Sequence, residues 1–179
     1  MLVEGDSDRV ALQTLAGRHG RDLAAEGVDV VAMGGITNIR AFASRYGPHG
    51  LGVPLLGVYD APEEALLRRG LAAAGLPDAL DPEALPGLGF FKCTADLEDE
   101  LIRALGLDGV ECVIEAAGEA RSLQRLAGMP AQRGWTREAL LRRFLGSRAG
   151  RKARYAALLV EALEPGCELG PLTAVLARV

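Results

Sequence analysis

Short apolar runs of strand length alternate with helical patterns from Met1 to Leu105, and few architectures accommodate that rhythm. Residues 1–3 precede a helical pattern at about 8–19, residues 28–33 precede one at 36–46, and residues 53–59 precede one at 62–74. After a loop rich in Pro and Gly at 76–87, residues 88–93 form a fourth apolar run, followed by a helix at 96–105 with Asp96 placed to cap it. Short, continuous apolar strands imply burial on both faces. Strands of that kind, joined by right-handed helical crossovers, build a parallel sheet flanked by helices, and such sheets gather ligands beyond the carboxyl ends of the strands. The expected fold class is therefore α/β with a Rossmann-like parallel sheet. Beyond Gly106 the pattern is less regular: a fifth strand is expected at 110–114, then helices at 119–126, 137–145 and 151–163. Residues 1–106 read as the core and 107–179 as a mostly helical, basic C-terminal part of the same domain. A chain of 179 residues with 49% apolar content suits one well-buried domain better than two.

No run of residues approaches the length and apolarity of a membrane span, and the start lacks a basic leader, so the expectation is a soluble, cytoplasmic protein. Cys93, Cys112 and Cys167 lie far apart, and His19 and His49 form no pair with zinc-ligand spacing. The net charge of −4 is unevenly distributed. Between Arg133 and Arg154 eight basic residues face one acid, Glu138, a local balance of +7 that leaves −11 on the rest. A basic segment of this kind suits phosphate, although a solvated helix face reads the same way.

Three acidic clusters fall at the expected carboxyl ends of strands. Glu4 ends the first, with Asp8 four residues on; Asp60 ends the third, followed by Glu63 and Glu64; and Asp96-Leu97-Glu98-Asp99-Glu100 follows the fourth. Helix capping explains an acid at each helix start, but it does not require one as the last residue of a buried strand. In a parallel sheet all three clusters converge. Clustered carboxylates suit Mg²⁺ or Mn²⁺, and two such ions can activate water and stabilise the leaving oxygen of a phosphodiester.

The segment Leu2-Val3-Glu4-Gly5-Asp6-Ser7-Asp8-Arg9-Val10-Ala11-Leu12 resembles the glutamate motif that opens TOPRIM domains. Met33-Gly34-Gly35-Ile36-Thr37-Asn38-Ile39, Val58-Tyr59-Asp60, Asp96-Leu97-Glu98-Asp99-Glu100-Leu101 and the tail from Arg142 to Ala156 are similar to the TOPRIM portion of the OLD (overcoming lysogenisation defect) family of endonucleases. This resemblance implies a metal-dependent DNA endonuclease using two divalent ions, Mg²⁺ or Mn²⁺. Glu4, Asp8 and Asp60 would bind one ion, with Asp96 and Glu98 binding the other. Lys152 would meet charge on the transferred phosphate, acting with Glu4 and Asp60 in catalysis, and Arg148, Arg151 and Arg154 would contact DNA. Only two lysines, Lys92 and Lys152, occur among the twenty basic residues, so a lysine here runs against the chain's habit.

Two departures qualify the resemblance. Many TOPRIM domains place a ligand two residues after the aspartate, where this chain has Pro62; Glu63, Glu64 or water then completes the shell, and Glu64 is carried as a candidate metal residue. Family members also carry an ATPase domain, whereas this chain has no G-x-x-x-x-G-K-[ST] loop. The resemblance thus implies either a catalytic domain excised from a larger protein, with an ATPase domain or subunit outside this chain, or a free-standing one. The alternatives are a non-catalytic nucleic-acid-binding or recombination-mediator module, or a TOPRIM enzyme of primase or topoisomerase type.

Overall fold

The computed structural model describes residues 1–146 and 150–179. Four parallel strands, β1 (Leu2–Val3), β2 (Val31–Ala32), β3 (Gly57–Asp60) and β4 (Phe90–Cys93), form a sheet in the order β2-β1-β3-β4. The register sets Leu2 beside Val31 and Gly57, and Asp60 beside Cys93. Helices α1 (Asp6–Arg18), α2 (Ile39–Tyr46) and α3 (Glu64–Ala73) follow the first three strands. After β4 come α4 (Leu97–Ala116), α5 (Ala120–Ala127), α6 (Arg137–Leu145), α7 (Arg151–Glu161) and α8 (Gly170–Leu176). This is the expected α/β class. The regular strands are shorter than the apolar runs predict, because residues 28–30 and 53–56 approach the sheet without continuous ladder pairing.

Each face of the sheet buries its own apolar cluster. On one side Leu2, Tyr59 and Phe90 meet Ile39 and Ala43 of α2 and Leu67 and Leu71 of α3. On the other, Val3 and Val58 meet Leu12 and Leu15 of α1, Leu101 of α4, Phe144 of α6, Tyr155 and Leu159 of α7 and Leu172 of α8. Helix α7 packs along α1, so the C-terminal helices complete the core on which the first strand rests. Among the described residues no helix is long and apolar enough to cross a membrane.

The expected strand at 110–114 is instead the second half of α4. Its β-branched residues favour a strand locally, but Val110 and Ile114 are buried while Cys112 is exposed, which is the spacing of a helix face. At Gly106 the backbone turns to φ +70° and ψ 162°, so the helix kinks there and resumes. Glycine alone adopts that conformation without strain. Helix α8, unanticipated from the sequence, covers β3 and β4 on the α1 side.

Candidate metal centre

The carboxyl ends of β1, β3 and β4 open on one side of the sheet, and the acids that follow them lie around a cavity of about 440 Å³. Glu4, Asp8, Asp60, Glu98 and Lys152 line it, together with Gly34 and Gly35. The Glu4 carbonyl accepts hydrogen bonds from the amides of both glycines, each at 3.0 Å, which fixes the turn after β2 against the end of β1. One Asp8 oxygen accepts from the Gly5 amide at 2.9 Å, so the start of α1 holds this carboxylate toward Glu4. Lys152, in the first turn of α7, reaches Glu98 at 3.1 Å across 54 positions of sequence.

Electrostatics record how closely the acids crowd. Burial, reinforced by Glu4 and Glu98, pushes Asp8 up to about 6. Burial, reinforced by Asp8, Glu4, Asp96 and Glu98, pushes Asp60 up to about 7. Glu63 is raised as well, by burial and then by its hydrogen bond and repulsion with Glu4. Its Oε2 atom is buried without a hydrogen-bond partner among the described residues. For Lys152 burial alone lowers the pKa, but Glu98, Asp8 and Asp96 together overcome it and the net shift is upward. The ammonium therefore stays charged.

The remaining candidates stand elsewhere. Glu64 turns away from the cavity to Lys92 at 3.1 Å and Arg68 at 3.7 Å, while Glu63 faces Glu4, Asp60 and Asp8. The reason is local: Asp60 directly precedes a 3-10 turn over Ala61–Glu63 with Pro62 inside it. In such a turn the residue three positions on stacks over the first, whereas an α-turn would bring up the fourth. Asp96 does not line the cavity: it caps α4 through the Asp99 amide at 2.9 Å and accepts from Arg142 with its other oxygen. Arg142 also holds Asp99 at 3.3 Å.

Of the expected DNA-facing arginines, Arg151 needs correcting. Arg151 is buried, ion-paired to Glu119 and stacked 4.1 Å above the Phe144 ring, so it braces α7 and presents little to solvent. Arg154 is half exposed but pairs with the same Glu119 at 2.7 Å. Arg148 lies outside the described residues. Arg137 is likewise paired, to Asp108 and to Glu111 at 2.6 Å. The basic segment is thus largely neutralised by acids from other elements, which a count along the sequence does not reveal.

Residues 1–61 match the family described as Overcoming lysogenization defect protein-like, TOPRIM domain. The opening third of the chain is thus similar to an OLD-like TOPRIM domain. Nearly all of it is similar to the C-terminal region of the Xanthomonas campestris pv. campestris OLD protein, at 26% identity and a TM-score of 0.66, covering 99% of this chain and 93% of that one. The C-terminal region of the Burkholderia pseudomallei OLD protein shares the fold at a TM-score of 0.71 and 24% identity, covering 98% of this chain and 93% of that one. No curated protein sequence matches the chain.

TOPRIM domains generally bind divalent metals, and the residues around this cavity fit such an ion. Three carboxylates are raised by burial and mutual repulsion, one of their oxygens is buried without a partner, and all the donors are hard oxygen ligands. Among the described residues no three His, Cys, Asp or Glu side chains already stand in chelating positions.

Proposed function

We propose that this OLD-like TOPRIM domain is the catalytic part of a metal-dependent DNA endonuclease. The observation that carries the reading is convergence: Glu4 after β1, Asp60 at the end of β3 and Glu98 after β4 line one cavity with Asp8 and Lys152. Helix capping places an acid at each site separately but gives no reason for a lysine to reach them from α7. Glu4, Asp8, Asp60 and Glu63 would hold one divalent ion, and Glu98 with Asp96 a second. Two such ions, Mg²⁺ or Mn²⁺, supply an activated water and neutralise charge on the phosphodiester.

The chain's own residues do the positioning. Gly34 and Gly35 pin the Glu4 backbone, and Gly5 pins Asp8, so these carboxylates need little reorganisation. Asp60, raised to about 7, and Asp8, raised to about 6, would have to be ionised to hold an ion, so metal binding would strengthen as pH rises through those values. Lys152 is a mobile point charge on a flexible stem. Released from Glu98, it follows the phosphoryl oxygens as negative charge develops. An ATPase domain or subunit outside this chain belongs to the same proposal.

The test is nicking of a supercoiled plasmid with Mg²⁺, Mn²⁺, Ca²⁺ or chelator. Cleavage is expected with the first two ions and none in chelator, with Ca²⁺ binding without supporting turnover because its coordination is looser. Cleavage that persists in chelator removes the metal scheme. DNA binding without cleavage in either Mg²⁺ or Mn²⁺ leaves a non-catalytic nucleic-acid binder.

A further inference from the structure

A second cavity, of about 560 Å³, adjoins the acidic one, and Gly150 lines both. Its wall is basic: Arg121 and Arg125 of α5, with Ser122, face Arg154 of α7. Glu119, the acid beside them, is already engaged by Arg151 and Arg154. Arg121 and Arg125 are exposed, and neither forms an ion pair among the described residues. Four positions apart on one helix, they share a face and repel each other, a repulsion that an anion between them relieves. A smaller adjoining cavity, lined by Ser122, Arg125 and Arg143, extends the basic wall onto α6.

We propose that the α5 cavity is a phosphate-binding subsite that takes a DNA strand running past the acidic site. This rests on the nuclease reading above. Guanidinium groups fit phosphate oxygens bidentately, and the Ser122 hydroxyl adds a donor between the two arginines. The Glu119–Arg151 pair, with Arg151 stacked on Phe144, fixes the start of α5 against α7 and α6, so the wall is held rigidly beside Lys152. The juxtaposition is chemically complementary: one cavity concentrates carboxylates and the next concentrates guanidinium groups, a step apart along the same surface. A strand held in the second would run toward the first past Gly150, which lines both.

The experiment compares Arg121→Ala/Arg125→Ala with Arg40→Ala/Arg69→Ala in the full chain. The second pair removes the same charge from exposed sites on α2 and α3, across the sheet. Fluorescence anisotropy with labelled oligonucleotides in chelator reads binding free of cleavage, and circular dichroism checks that each variant folds. The α5 pair is expected to bind about 10-fold more weakly at low salt and to lower the salt slope by about 1 to 2, with the control pair within about twofold of wild type. Oligonucleotides with and without a 5′-phosphate identify the ligand. Equal loss on both marks a backbone phosphodiester, loss on the phosphorylated one alone marks a terminal phosphate, and either upholds the site. Wild-type affinity in the α5 variant, or equal loss in both pairs, overturns it. A wild-type chain that binds no DNA overturns this proposal and the DNA substrate together. If the α5 pair carries binding but no cleavage occurs, only the nuclease reading falls.

Discussion

Glu63 and Glu64 are one position apart and meet different partners, because Pro62 and the 3-10 turn choose which of them stacks over Asp60. Glu63→Gln should weaken Mg²⁺ binding about 10-fold by isothermal titration calorimetry, with Glu64→Gln within about twofold of wild type. The reverse ranking would return Glu64 to the metal shell. The same crowding predicts a pH dependence. Asp8 and Asp60 are raised from ordinary carboxylate values to about 6 and about 7, so between about pH 4 and 7 the folded chain binds more protons than the unfolded one. The stability they contribute is complete at low pH and is lost as pH rises through those values. Urea midpoints in chelator should therefore fall from pH 5 to pH 8, Asp60→Asn should flatten that fall, and Mg²⁺ should reverse it most at the high end. A midpoint that rises across this range removes the crowded-carboxylate account. Lys152→Ala should lower turnover about 10²-fold with DNA binding in chelator nearly unchanged, since its charge matters most in the transition state. A normal cleavage rate leaves only the carboxylates in the mechanism. Glu4, Asp8, Asp60 and Glu98 were legible as candidates because strand ends are visible in one dimension, and Lys152 because the tail motif resembles the family's and lysines are scarce in this chain. The choice of Glu63 depends on turn type, and the turning of Asp96 to Arg142 depends on a contact 46 positions away.

The second half of α4 shows where a local pattern misleads. Val110-Glu111-Cys112-Val113-Ile114 has the composition of a strand, and in a strand residues 110, 112 and 114 would share one face. In the helix Val110 and Ile114 are buried in the core, Val113 packs against it, and Cys112 is exposed. Ile114→Ala should cost about 2 to 5 kcal/mol in urea unfolding, whereas Cys112→Glu should stay within about 0.5 kcal/mol. A thiol reagent should label Cys112 rapidly in the native chain and Cys93 slowly, since Cys93 is buried and burial pushes its thiol up, with Asp60 and Glu100 adding to the shift. Slow labelling of Cys112 would favour the strand. The first four strands and their helices were legible because turn residues punctuate them and their order forces a parallel sheet. Beyond Gly106 that punctuation misleads: a glycine usually ends a helix, but here α4 kinks at it and continues. Helix α8 is short and begins Gly-Pro, so it carries no periodic signal long enough to read; its place is set by the apolar edges of β3 and β4 that it covers.

At the scale of the whole molecule the unresolved tension is between a net charge of −4 and a polyanionic substrate. The fold answers part of it by spending most of the basic segment internally. Arg137, Arg142, Arg151, Lys152 and Arg154 are each paired with acids of α4 or with Glu119. These pairs tie α6 and α7 to the elements that carry the acidic cavity, and they leave Arg121, Arg125 and Arg143 without ion pairs among the described residues. The number of phosphates neutralised should follow the second group. Each phosphate contact on duplex DNA contributes about 0.9 to the slope of log affinity against log salt, so a slope of about −3 is expected, against about −7 if the whole basic segment faced the DNA. Binding should accordingly be weak, with little sequence preference, because phosphate contacts position a strand without reading its bases. Mg²⁺ should tighten it beyond what ionic strength allows, since filling the acidic cavity removes repulsion between carboxylates and the incoming strand. The measurement is a salt titration by anisotropy, in chelator and again with Ca²⁺, which is expected to occupy the cavity without turnover. A slope near −7 would mean that the ion pairs open on binding, and a slope near zero would remove the basic wall from the DNA track.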